Sequence, residues 1–234
     1  MTLRARLTCL ILCLVAVTEV CGSFASASSK SGSKRPDQSP RSGTSTCLDK
    51  SPINCQNAFL RGQDLHGRDL TGANFTHANL VDTDLFGASL MRANLSGATL
   101  SDANLTQADF TDGNLQGGNF FHADLSYATL NGASLTGASL IGANLTGSYL
   151  TNANLTNANL TGAVVRSYLT NANLTNANLD DASFFYANLT NANLTEANLT
   201  GANLDDANLT EANLTGAKFC RTTMVNGRRK STRC

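Results

Sequence analysis

The sequence predicts an all-β chain wound into a parallel β-solenoid. Three observations carry that prediction. A five-residue period runs from Leu60 to Phe219, leucine, alanine, asparagine, threonine and glycine dominate from Ala58 onward, and tryptophan is absent while prolines number three. A bias of this strength points to repetition before it points to an ordinary globular core.

Stepping by five from Leu60 meets Leu65, Leu70, Phe75, Leu80 and so on to Leu160 and Val165, always leucine, phenylalanine or valine. Two places earlier the usual residue is alanine, as at Ala73, Ala78, Ala88, Ala93, Ala98, Ala103 and Ala108. Residues two apart lie on one side of an extended segment, so each unit offers one large and one small inward side chain. The other positions are polar and include Gly72, Gly97, Gly132, Gly137, Asn152 and Asn157, which suit positive φ. A period of five fits neither an amphipathic helix nor a plain strand. Each unit is therefore a very short extended segment plus a tight corner. Successive coils stack through parallel main-chain hydrogen bonds about 4.8 Å apart.

The frame slips once. After Leu160 the next well-formed unit, Ser167-Tyr168-Leu169, arrives one residue early, and Val164-Val165-Arg166 absorbs the loss. The period then continues from Leu169 to Phe219. This predicts a local deletion inside one coil, and it is the clearest break in an otherwise uniform surface.

The pattern resembles the pentapeptide-repeat family, A-[DN]-L-x-x, in near-ideal form at Ala153-Asn154-Leu155-Thr156-Asn157. The resemblance implies a right-handed quadrilateral β-helix with four pentapeptides per coil. On that basis the repeat makes about eight coils in a rod about 40 Å long.

The ends differ from the repeat. Arg4 and Arg6 precede an apolar stretch, Leu7 to Val20, and Ala25-Ser26-Ala27 stands before Ser28, which reads as a signal peptide over 1–27. The apolar run is short for a membrane span. Residues 28–46 are rich in Ser, Lys, Arg, Pro and Gly and are expected to be a disordered linker. Export would take the chain to the periplasm, the thylakoid lumen or the extracellular space. Cys47, Cys55, Cys220 and Cys234 would remain after cleavage, and an oxidising compartment favours their pairing. Four cysteines allow three connectivities. The two ends of a long solenoid do not easily meet, which favours Cys47 with Cys55 and Cys220 with Cys234. No histidine accompanies either pair, so a metal site is the weaker reading. The expected parts are an N-terminal cap over 47–57, the solenoid over 58–219 and a basic C-terminal cap or tail over 220–234.

Net charge is zero over the whole chain but not locally. The repeat is acidic, whereas Lys218, Arg221, Arg228, Arg229, Lys230 and Arg233 face no acidic residue after Phe219. The tail therefore suits peripheral contact with an anionic membrane or an acidic partner, or simply forms a disulfide-pinned cap with solvated charges.

No catalytic constellation stands out. His66, His77 and His122 are not separated by multiples of twenty, so they share no column and give no histidine-based metal or catalytic cluster. Asp64, Asp84 and Asp124 fall in one column with Asn104, and Asp69 and Asp109 in another, as solvated surface charge. No cofactor is expected. Allowing for the slip, Thr136, Thr156, Thr175, Thr195 and Thr215 form one outer column, and Thr151, Thr170, Thr190 and Thr210 a second.

The function expected is a non-catalytic exported scaffold that binds another macromolecule, a protein of unknown identity, through a flat face. No nucleic-acid partner is expected, and no motif encodes an oligomeric state. Two alternatives come from resemblance. Some pentapeptide-repeat proteins resemble DNA and bind DNA gyrase, a reading that needs a strongly acidic cytoplasmic rod. Regular threonine columns on exported solenoids resemble ice-binding surfaces.

Overall fold

A computed structural model describes residues 47–232 and 234. The expected signal peptide (1–27) and linker (28–46) lie outside the described residues.

The repeat forms an all-β solenoid. Asn54 bridges Asn74, Asn74 bridges Asn94 and Asn94 bridges Asn114, all in parallel, so ladder partners are twenty residues apart and four pentapeptides separate them. Two kinds of hydrogen bond build it. Between coils, Leu80 N–H donates to Thr99 O at 2.7 Å and Thr99 N–H donates to Ala78 O at 2.9 Å. Within a corner, Ala98 N–H donates to Leu95 O at 3.0 Å, closing a four-residue turn. The third residue of each such turn takes a left-handed φ, for example 60° at Asn152 and 64° at Gly97. Asparagine and glycine occupy that conformation at low cost, which is why they recur there.

The interior is filled as the five-residue period requires. Leu90, Leu95 and Leu100, with Ala93 and Ala98 between them, are fully buried, and Phe75, Phe110, Phe120 and Phe184 are accommodated in the same stack. One exception in the small position is explained by packing. Gly118 stands where alanine is usual, and a Cβ there would fall 2.8 Å from Cε2 of the Phe120 ring. The Phe120 ring occupies the space that a methyl group would take there, whereas Phe75, Phe110 and Phe184 each stand beside a buried alanine.

The ladder runs through the slip without a break. Asn144 pairs with Val164 twenty residues on, Tyr149 pairs with Tyr168 nineteen residues on, and Tyr168 pairs with Asn188 at twenty again. One residue is missing from a single corner, and the columns on both sides stay in phase.

Both ends are stapled. Cys47 is bonded to Cys55, and Cys55 and Leu48 are buried against the first coil. At the other end β1 (Phe219–Thr223) turns back into β2 (Arg229–Thr232) as an antiparallel hairpin. Lys218 and Thr223 still bridge Asn198 and Asn203 in parallel, so the solenoid passes directly into the hairpin. The Cys220–Cys234 bond and Lys230, whose Nζ lies 3.9 Å from the Phe219 ring centroid, hold it there. No helix among the described residues is long and apolar enough to cross a membrane.

Candidate functional site

The corners after the central leucines stack coil on coil. Gly137 N–H donates to Thr156 O, Asn157 N–H to Thr175 O, Asn176 N–H to Thr195 O and Glu196 N–H to Thr215 O, which stacks Thr136, Thr156, Thr175, Thr195 and Thr215. Their hydroxyls are largely committed within the fold. Those of Thr156, Thr175, Thr195 and Thr215 donate to Oδ1 of Asn154, Asn173, Asn193 and Asn213 at 2.6–2.7 Å. The same Asn oxygens also accept the threonine N–H, which locks each corner and accounts for the recurrence of Asn-Leu-Thr.

Asp64, Asp84, Asn104 and Asp124 also stack in order. Asn104 Nδ2 donates to Asp84 at 2.8 Å, and Asn144 Nδ2 to Asp124 at 3.1 Å, so amides bridge the carboxylates. At the open end of this column Nδ1 of His66 lies 2.7 Å from Asp64 Oδ1. The shared hydrogen bond holds the Asp64 carboxyl below its ordinary range and the His66 imidazole above its own. The ligand atoms of Asp64, His66 and Asp84 lie within 4.8 Å of one another, but the group sits on the surface. Comparing histidines only with one another missed this pairing; the two-residue spacing of Asp64 and His66 was the available signal.

The most distinctive surface lies at the missing residue. In the preceding coil the corner reads Leu145-Thr146-Gly147-Ser148, and in the next Phe184-Phe185-Tyr186-Ala187. Between them it reads Val165-Arg166-Ser167, one residue short of a closed turn. Among the main-chain hydrogen bonds between coils and across corners, none is donated by Arg166 or Ser167. Thr146 N–H is accepted by Asn144 Oδ1 at 3.1 Å, but Val164 takes the asparagine position before Arg166 and offers no acceptor. Thr83, Ser148, Ser167 and Thr222 replace alanine at the small inward position. Three of the hydroxyls reach a carbonyl: Thr83 to Leu60 O, Ser148 to Leu145 O and Thr222 to Leu199 O. The Ser167 hydroxyl is buried and has no partner.

Around this defect gather all four tyrosines of the chain. Tyr149 and Tyr168 stack with ring centroids 5.1 Å apart and 7° between planes. Tyr127 lies over Gly147, where a Cβ would come within 2.7 Å of its ring. Tyr186 packs beside Phe185. Tyr127, Tyr168 and Tyr186, with Thr146, Gly147, Arg166 and Ser167, enclose an open groove of about 340 Å³. The tyrosines remain 46–61% exposed. The Arg166 guanidinium lies 5.4 Å from the Phe185 centroid and 6.0 Å from that of Tyr186. It is the sole Lys or Arg between Arg92 and Lys218, and the ion pairs Arg61–Asp82 and His66–Asp64 do not involve it.

A stacked ladder of five-residue corners with leucine inside and asparagine–threonine corners outside defines a pentapeptide-repeat solenoid. The family model for pentapeptide repeats matches residues 53–90, 88–126, 128–166, 165–201 and 187–224, and the chain belongs to that family. No curated protein sequence is significantly similar to it. Among solved structures it is similar to HetL from Nostoc sp. strain PCC 7120, a pentapeptide-repeat protein involved in heterocyst differentiation regulation. There the identity is 29%, covering 76% of this chain and 91% of that one, with a TM-score of 0.48. A pentapeptide-repeat protein of the Arabidopsis thaliana thylakoid lumen is 32% identical over 44% of this chain and 69% of its own, with a TM-score of 0.32. QnrB1, a plasmid-mediated fluoroquinolone resistance protein, is 20% identical over 70% and 87%, with a TM-score of 0.37.

Proposed function

We propose that this chain is a non-catalytic exported scaffold, a right-handed quadrilateral β-helix of about eight coils, that binds another macromolecule. The carrying observation is the gathering of four exposed tyrosines around one corner, beside an arginine that makes no ion pair among the described residues, whereas the other exposed rings, Phe59, Phe86 and Phe121, lie apart from it in sequence. Exposed aromatic clusters beside an arginine are the composition of recognition surfaces. The flat faces suit that role less well, because many of their amides and hydroxyls already bond to one another. Recognition therefore moves from the flat face to the corner. A photo-crosslinking residue at position 168, in the native compartment, is expected to capture a partner that the same residue at position 106 does not. Equal capture at both positions sinks the assignment to the corner.

The hairpin supports a second contact. Lys218, Arg221, Arg228 and Arg229 are exposed on it, which suits an anionic membrane surface. Salt-sensitive retention on anionic vesicles, lost when Arg228 and Arg229 become Gln, is the expected behaviour; retention that ignores these charges argues against it.

A further inference from the structure

We propose that the corner at Arg166 recognises an acidic sugar, a ring that carries a carboxylate, as one unit of a uronate-type polysaccharide. The proposal rests on the reading of this corner as a recognition surface and names the chemistry of the partner.

The apolar half of the site is a cluster of tyrosine rings. Tyr149 and Tyr168 present nearly parallel, half-exposed rings, with Tyr127 and Tyr186 on either side of the groove. A pyranose ring has two weakly apolar C–H faces and a polar rim. Its faces gain by covering flat aromatic rings, and its hydroxyls can remain in water at the open side of the groove. A protein partner would be expected to seat a large apolar anchor in a desolvated pocket. This groove is open and half lined by polar groups, which favours the thinner, more polar ligand.

The polar half is built for an anion. Val164 in place of asparagine leaves the Arg166 N–H without a side-chain acceptor, and the missing residue leaves the Ser167 N–H without its turn bond. The Ser167 side chain takes the small inward position and is buried, so its hydroxyl stays out of a ligand's reach. Arg166 adds the local positive charge, steadied over two rings and unpaired. An exposed guanidinium without an ion pair among the described residues is matched to a carboxylate. The two flanking ladder columns also lose their acids here, although Asp180 and Asp181 occupy the preceding corner one coil on. Asp124 is followed by Asn144, Val164 and Ser183, and Asp109 by Thr129, Tyr149 and Tyr168. Along the corner itself the next carboxylate is Asp205, one coil beyond Phe185. A neutral sugar would use the rings and leave these donors unmatched.

Tyrosine fluorescence reads this site directly, because the chain has no tryptophan and its four tyrosines all lie here. Titration with trigalacturonate is expected to give a saturable, salt-sensitive change. Arg166→Gln and Tyr168→Ala should each weaken it about tenfold, and a neutral cellotriose should bind at least about tenfold more weakly. Arg166 is exposed, so its variant is expected to melt like the parent, which separates lost binding from lost fold. The proposal is overturned if trigalacturonate gives no saturable response, if cellotriose binds equally well, or if Arg166→Gln changes nothing. It is also overturned if a hexaglutamate peptide binds as tightly with the same sensitivity, which would make the partner an acidic peptide. A partner cross-linked at position 168 alongside failure of trigalacturonate would remove the sugar and leave the corner as a recognition surface.

Discussion

Each five-residue unit assigns sharply different costs to its positions. Ala98 is fully buried between central leucines, whereas Thr106 sits half-buried in a corner. Ala98→Phe should destabilise by about 3 kcal/mol through overfilling, and Thr106→Phe by less than about 1 kcal/mol. A thermal melt with the opposite order would contradict the assigned interior. The second prediction concerns charge. His66 should titrate above its ordinary value of 6.5 because Asp64 bonds and attracts it, and Asp64→Asn should lower that value. A proton NMR titration checks this. The sign follows: the His66 contribution to stability is complete below 6.5 and is lost as pH rises through the raised folded value. The lowered Asp64 value means that its contribution holds above 3.8 and is lost as pH falls through the lowered one. Both groups are fully exposed, so the effect on folding is small.

Among the elements, the corner is the informative unit. An ordinary corner has two residues between the central apolar residue and the next small one, and a hydrogen bond closes it, as from Ala163 N–H to Leu160 O at 2.9 Å. The corner at Arg166 has one residue and no such bond. Inserting glycine between Arg166 and Ser167 restores the length and provides a residue suited to the left-handed position. The expected outcome is a gain of about 1 kcal/mol by denaturant melt, from the recovered turn bond, together with loss of the groove and its ligand response. A loss of stability would show that the shortened corner is already relaxed. Tyr127 and Tyr186 make a related point, since both adopt left-handed φ, 57° and 61°. The repeat imposes that conformation on other bulky residues too, His77, Arg92 and Gln107 among them, so replacing either tyrosine with asparagine should not weaken the turn.

In the whole solenoid, stability propagates from coil to coil and the ends carry disproportionate weight, because an uncovered coil exposes apolar side chains and strand edges. The two disulfides close short loops against those ends. Replacing Cys220 and Cys234 with Ser should cost about 2–3 kcal/mol by the loop-closure argument, with increased amide exchange beginning in the hairpin and last coil. Uniform exchange along the rod would instead mean that the end does not nucleate unfolding. The period, the slip and the cysteine pairs were all legible beforehand, because each is a matter of spacing along the chain. The recognition corner was legible only in part: the slip marked the place, but the tyrosines at 127, 149, 168 and 186 keep no common interval. Tyr127 and Tyr186 are left-handed corner residues, while Tyr149 and Tyr168 precede central leucines.

The sequence by itself determined which side chains face inward, where the coil turns and where one residue is missing. These follow from strict local alternation between apolar and polar residues, which leaves a single register that buries leucine. Only the tertiary structure decided that Tyr127, Tyr168, Tyr186 and an isolated arginine share one groove, with Tyr149 stacked on Tyr168 beside it. Their proximity depends on how stacked corners align across the deletion, and that alignment is set by main-chain bonds between residues nineteen or twenty positions apart.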